Sequence, residues 1–280
     1  MKKSKKNNRI TTVLLVVILL AGLGLLLYPT VANYWNSRHQ SKAISSYAAT
    51  VDNLSTQEKD NAWMAAQEYN SRIMDRSNIF VLTDEDRAEY EKNLDVSGTG
   101  VMGYVEIPAI EVVLPIYHGT SESVLQVAVG HLDWTSLPVG GSGSHCVISG
   151  HRGLPSAKLF THLDQLTEGD VFFIRVLDEV LTYEVDQVLI VLPQIVSDLV
   201  IEDGKDYCTL VTCTPYGINT HRLLVRGHRI ENAQTAAQVH VTSEAVQVNE
   251  MLIAIGFVVP LLIIFFIVAG IIKPKDDYYY

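Results

Sequence analysis

The stretch Thr209–Gly227, TLVTCTPYGINTHRLLVRG, restricts this chain more than any other. It opens on Thr, Leu, Val and Thr, side chains that suit a pleated strand, and Cys213 ends that run. Pro215, Gly217 and Asn219 then supply a turn. A second strand pattern follows over His221–Arg226. Its alternation sets Arg222, Leu224 and Arg226 on one face and His221, Leu223 and Val225 on the other. The expectation is two strands joined by a short loop, with a thiol and a guanidinium at the joined ends. A thiol attacks as its thiolate, which nearby positive charge favours. An arginine keeps its charge and can donate to a developing oxyanion.

Such a pair lacks a proton-transfer group. His151, in SGHRGLPSAKLF (Ser149–Phe160), follows the apolar run Cys146–Ile148 and is bracketed by Gly150 and Gly153. That is the pattern of a strand end where backbone passes close to a substrate. Singly, each residue also has a plain structural reading, since a buried cysteine behaves as a small hydrophobe. His118, His131, His145, His221 and His228 rival His151, and Arg226 shares a strand face with Arg222. His145 and Cys146 precede His151, yet no second ligand pair at zinc-like spacing accompanies them, so no metal site is expected.

The stretch and the upstream SGHRG resemble the sortases, cysteine transpeptidases of Gram-positive cell surfaces. The long form TCTPYG-x-NTHRLLVRG resembles their pilus-assembling class, class C. MGYVEIP (Met102–Pro108), LPIYHGTSE (Leu114–Glu122), VGHLDWTSLPVGG (Val129–Gly141) and GLPSAKLF (Gly153–Phe160) match as well, in the family's order, over roughly Gly100–Ile230. Carried over residue by residue, the resemblance implies that Cys213, His151 and Arg222 are catalytic and that Arg226 is structural. Thr212, Thr214 and Leu154 are expected to contact substrate, and Ile195–Gly204 to wall an apolar groove. The implied reaction cleaves an LPXTG-like signal on a pilin between Thr and Gly and passes the acyl group to a lysine of the next pilin. No cofactor is implied, because amide cleavage and resynthesis nearly balance in energy. A catalytically idle binding barrel and a hydrolytic cysteine endopeptidase are the other readings. The absence of the Asn or Asp partner usual in papain-like chains favours the transpeptidase.

Composition narrows the setting. The 280 residues carry a net charge of −10 and no basic stripe, which argues against nucleic acid as a partner. Apolar residues concentrate at the ends. Ile10–Tyr28 is long enough to cross a bilayer, and Lys2, Lys3, Lys5, Lys6 and Arg9 precede it, which keeps the N-terminus cytoplasmic. A cleaved signal peptide is the alternative, but the run is long for one and Thr30-Val31-Ala32 is a poor cleavage site. Met251–Ile272 is a second span, followed by Lys273 and Lys275. The expected layout is a tail (1–9), a membrane helix (10–28), an extracellular helical segment (29–98), a catalytic barrel (99–232), a linker (233–250), a second membrane helix (251–272) and a cytoplasmic tail (273–280). Three cysteines are too few for a disulfide scaffold. Cys208 and Cys213 face opposite sides of one strand; Cys146 could pair with Cys208, but nothing in the sequence supports it. The expectation is two buried free cysteines and one reactive thiol.

Within residues 32–74, Ile44, Tyr47, Val51 and Leu54, then Trp63, Ala66 and Tyr69, recur at helical spacing, and Ser55–Glu58 looks like a helix start. Short strands follow: Gly103–Ile107, Ile110–Leu114, Cys146–Ser149, Val171–Val176, Leu181–Ile190 and Thr209–Cys213, with short helices over Ser121–Val127 and Ser156–Leu163. This reads as mainly β, an antiparallel barrel or sandwich, which the resemblance narrows to the closed eight-stranded sortase barrel. The resemblance also implies a lid over the active site, between Tyr69-Asn70 and Met102-Gly103-Tyr104, within 75–94. Its Asp-Pro-aromatic triplet is absent, and Asn78-Ile79-Phe80 is the nearest stand-in. Asn78 has no carboxylate to pair with Arg222, so the latch is expected to be weaker.

Overall fold

The computed structural model describes residues 4–74, 80, 82–232, 259 and 262. The chain divides into two units, residues 1–35 with 241–280, and Asn36–His240. Helix α1 (Ser4–Asn53) begins in the first and ends in the second, continuing through Pro29. Among the described residues it alone is long and apolar enough to cross a membrane: the segment Leu14–Asn53 has a mean hydropathy of 2.5 at its most apolar, with none of that stretch buried. The second expected span, 251–272, lies outside the described residues apart from Val259 and Leu262, as does the linker 233–250.

In the second unit, α1 buries Tyr47 and Val51. A short break leads into α2 (Thr56–Met74), capped as the sequence suggests. The Ser55 hydroxyl accepts from the Glu58 N–H, and the Glu58 carboxylate accepts from the Ser55 N–H at 2.8 Å. Ala66, Tyr69, Asn70 and Ile73 form its buried stripe. Asn70 clamps one residue of the barrel, donating to the Leu137 carbonyl at 3.0 Å and accepting from its N–H at 2.7 Å. Helix α3 (Asp84–Lys92) starts from a capping box of Thr83 and Asp86.

Eight strands close a barrel: β1 (Val101–Ile107), β2 (Val112–His118), β3 (Val129–His131), β4 (Ser144–Ser149), β5 (Val171–Val176), β6 (Glu179–Val191), β7 (Asp206–Thr214) and β8 (His221–Ile230). Their order around it is β1-β2-β3-β4-β7-β8-β6-β5. The closed sortase-type barrel expected from the sequence is therefore present. The purely antiparallel pattern is not, because β2 pairs with β3 and β4 with β7 in parallel. Parallel neighbours need long crossovers rather than tight turns, and the β4–β7 connection contains the whole β5–β6 hairpin.

Two local expectations are corrected. Strand β2 starts at Val112, not Ile110, because Pro108–Ile110 forms a single 3-10 turn and Glu111 takes a left-handed conformation. Ser156–Leu163 is not a helix. Leu159 has a positive φ of 37°, which a continuing helix excludes, and this segment is a loop tied back by Phe160 N–H to the His151 carbonyl at 3.1 Å. A one-turn helix, α4 (Glu122–Leu125), lies inside the expected Ser121–Val127.

Alternation divides the strands into two apolar faces. Cys146, Ile148, Cys208, Leu210, Leu223 and Val225 belong to the main core with Tyr47, Tyr69 and Phe172. Val147, Val211 and Leu224, between those positions, form a smaller cluster on the opposite face with Leu199, Leu132, Trp134, Leu189 and Val191.

Helix α1 is fixed to the barrel by the buried Tyr47 hydroxyl, which donates to the Met102 carbonyl at 2.9 Å and accepts from the Leu177 N–H at 2.8 Å. Tyr47→Phe leaves both backbone groups without that partner. It is expected to cost about 1–3 kcal/mol, read as a lower urea midpoint at unchanged slope; an unaltered midpoint contradicts this role.

Candidate active site

The hydrogen-bond register of three adjacent strands builds the site. In the parallel β4·β7 pair, Ser144 is level with Asp206 and Ser149 with Val211. The pairing outlasts the strand: Gly150 N–H donates to the Val211 carbonyl at 3.0 Å, and the Thr212 hydroxyl donates to the Gly150 carbonyl at 2.7 Å. His151 follows two residues after the end of β4, and the same offset carried that far would set it level with Cys213. In the antiparallel β7·β8 pair Cys213 lies opposite Arg222. Thiol, imidazole and guanidinium thus come from three consecutive strands at one end of the barrel.

Period two selects the face. Cys213 and Arg222 share the outer face with Val211 and Leu224, above the smaller apolar cluster, while Cys208 points into the core. Cys213 is half-buried and is a free thiol. Arg222 donates to the carbonyls of its own turn, His221 at 3.1 Å and Asn219 at 3.4 Å. Arg226, its rival, is committed elsewhere. It binds both Asp186 carboxylate oxygens at 2.9 and 3.1 Å and lies over the Tyr207 ring at 4.2 Å.

His151 keeps a partly open side chain, 29% exposed, with Nε2 3.9 Å from a Glu122 carboxylate oxygen. The segment beyond it is braced by Arg152, which donates to the Thr214 hydroxyl at 3.3 Å and to Asp164, with its guanidinium 5.9 Å from the Tyr216 ring centroid. Gly153 has a positive φ of 78°, and a Cβ there would sit 3.0 Å from the Tyr216 ring, so both backbone and space require glycine. Two of the competing histidines, His131 and His145, are held by structural partners. His131 bonds to the Tyr90 hydroxyl and the Ser136 carbonyl, and His145 to the Val200 carbonyl and the Thr209 hydroxyl. Burial pushes the His145 pKa below its usual value.

Of the three residues expected at the substrate, Thr212 is 1% exposed and its hydroxyl engages Gly150. Thr214 is buried against Arg152, and Leu154 is half-buried in an isolated bridge with Ala157. Leu199, within the expected Ile195–Gly204 wall, joins the outer cluster. Phe80 is half exposed and meets Trp134 in a tilted ring contact, 4.9 Å between centroids and 59° between planes; Trp134 packs against that same cluster. Asn78 and Ile79 lie outside the described residues. Sequence reasoning assigned no role to Glu122, Arg152 or Trp134. All three sit in the quoted motifs, but their approach to His151, Thr214 and Phe80 depends on loop paths that spacing does not encode.

A half-buried thiol beside a guanidinium, with an imidazole level with it, is a set suited to nucleophilic acyl transfer. A sortase domain model matches residues 105–230. Sortase C1 of Streptococcus agalactiae superposes with a TM-score of 0.67 at 48% identity, covering 69% of this chain and 100% of that one. The Streptococcus pneumoniae sortase C gives 0.62 at 45%, covering 68% and 97%. By sequence, sortase A of Streptococcus agalactiae serotype III is 26% identical over 200 residues, 70% of this chain and 75% of that protein. Barrel, strand-end constellation and these similarities together make the chain a member of the sortase family of cysteine transpeptidases, in its class C branch.

Proposed function

We propose that this chain is a membrane-anchored pilin polymerase. On this reading Cys213 attacks the Thr carbonyl of an LPXTG-like signal and forms a thioester. The Arg222 guanidinium donates to the oxyanion. His151 protonates the departing glycine amine, then takes a proton from the incoming lysine amine of the next pilin. The product is an isopeptide bond. The observation that carries the reading is the register that pairs Cys213 with Arg222, with His151 just past the strand that runs parallel to β7. The apolar floor of Val211, Leu224, Leu189 and Val191, with Leu199 on the wall segment, suits the Leu-Pro part of the signal.

Two solved relatives bear on the substrate. Clostridium perfringens sortase C was crystallised with the C-terminal cell wall sorting motif, at 42% identity and a TM-score of 0.59. The Streptococcus pneumoniae structure addresses pilin substrate specificity. Helix α1 supports an anchor by length and composition. The lysines that precede it and follow 251–272 favour two spans, both termini cytoplasmic and an extracellular barrel. The Glu122 carboxylate, 3.9 Å from His151 Nε2, faces the proton that His151 would carry in the proposed cycle.

Phe80 and Trp134 form the described part of a lid over the groove. The Corynebacterium diphtheriae sortase A, at 38% identity and a TM-score of 0.61, was studied as a lid mutant. In this chain the latch is apolar. Phe80→Ala is expected to raise the alkylation rate of Cys213 several-fold, followed by timed labelling and mass spectrometry; an unchanged rate contradicts the lid.

The reaction is tested by incubating the full chain in membranes with pilins that carry an LPXTG-like signal. The expected products are covalent ladders that survive boiling in detergent. Cys213→Ala abolishes them, while Cys146→Ala and Cys208→Ala retain most. Arg222→Lys loses about a hundredfold or more, because a point charge does not replace a planar donor pair. Cleaved monomers without ladders would show hydrolysis or wall anchoring instead. Near-normal rates for Arg222→Lys would remove Arg222 from oxyanion binding.

A further inference from the structure

Outside the candidate site, the thiols of Cys146 and Cys208 are the nucleophiles for which the reaction has no use. They are register partners on the adjacent parallel strands β4 and β7, and both project into the main core. Neighbouring strands run about 4.7–4.9 Å apart, inside the separation of about 4.4–6.8 Å between Cα atoms that a disulfide spans. The His131 side chain lies beside Cys146. His131 is itself fixed, stacked on Tyr90 and bonded to the Ser136 carbonyl at 2.8 Å. Both cysteines are free thiols in this structure, 2% and 0% exposed.

We propose that Cys146 and Cys208 are a redox modification site that closes to a core disulfide as the barrel folds. The geometry supplies two thiols on the same face of paired strands. Their burial dictates the timing, since no reagent reaches them in the closed barrel. Exchange therefore occurs while β4 and β7 are pairing and the core is still open. The oxidant is a disulfide of an exported oxidoreductase or of a small thiol. One cysteine thiolate attacks it, the second displaces the mixed disulfide, and one S–S bond forms as the reagent's own S–S bond breaks. Two electrons pass to the reagent, and the two thiol protons leave with its two released thiols.

Cys213 stays out of this exchange. It follows Cys208 by five residues, so its side chain emerges on the opposite face, over the outer cluster. The cross-link would tie the two strands that carry Cys213 and His151, five residues before each. It would resist separation of β4 from β7 without touching the reacting groups. The inference rests on the outward placement of the barrel proposed above, where thiols meet an oxidising milieu, and is independent of the transpeptidase roles.

The test has two arms. In one, the full chain is exported into bacterial membranes, quenched in acid, denatured in N-ethylmaleimide without reductant and digested. In the other, the full chain is refolded from urea in detergent with glutathione and its disulfide, then treated alike. The expected result in both arms is a peptide pair joined through Cys146 and Cys208, separated by dithiothreitol. Reductant should also lower the Tm of the oxidised chain by several degrees and leave the Tm of a Cys146→Ala/Cys208→Ala variant unmoved. Joined peptides in the refolded arm alone support the pairing and contradict outward placement. Maleimide on both cysteines in both arms overturns the proposal.

Discussion

The parallel ladder between β4 and β7 is the constraint on which the site depends. It joins residues 62 positions apart, Thr212 with Gly150 among them, and nothing local enforces that distance. Hydrogen bonds of Gly150 and Thr212 extend the pairing beyond the last residue of β4. A slip of one residue would turn every side chain of the moving strand to its other face, placing Cys213 in the core and Cys208 outside. The buried residues on both faces therefore protect this register. The outward placement of Cys213 is in this sense a by-product of core packing, with Leu210 and Ile148 held inside and Val211 and Val147 outside.

The antiparallel β7·β8 ladder adds the guanidinium by the same logic. Arg222 and Arg226 share one face, and their surroundings separate their roles. Arg226 is engaged by both Asp186 oxygens and lies over the Tyr207 ring, which braces β8 against β6 and β7. Arg222 stands beside the turn of the hairpin, where it donates to carbonyls of that turn. The loop after His151 is stiffened in a comparable way by Arg152, which connects Asp164 to Thr214 next to the thiol.

Much of this was legible in the sequence where the code is local. Alternation in β7 and β8 revealed which residues share a face, and the cap at Ser55 follows ordinary helix-end chemistry. Strand β5 was bounded correctly because Val171–Ile174 and Val176 are good strand formers set between turn residues. The parallel pairings were not legible, since they join segments separated by a whole hairpin. Neither was the loop over Ser156–Leu163, where apolar spacing suggested a helix but Leu159 adopts a positive φ. The proximity of Glu122 to His151 escaped for a related reason: α4 and the end of β4 meet only once β3 is inserted between β2 and β4.

The central claim is that these registers make Cys213 the acyl-carrying nucleophile. The most direct measurement is a rapid acid quench of the full chain with a sorting-signal peptide and no acceptor amine, followed by digestion and mass spectrometry. The account predicts the Leu-Pro-X-Thr portion linked as a thioester to the peptide that contains Cys213, and its loss on addition of hydroxylamine. Cleavage of the signal with no adduct on Cys213, or an adduct on Cys146 or Cys208, would contradict it.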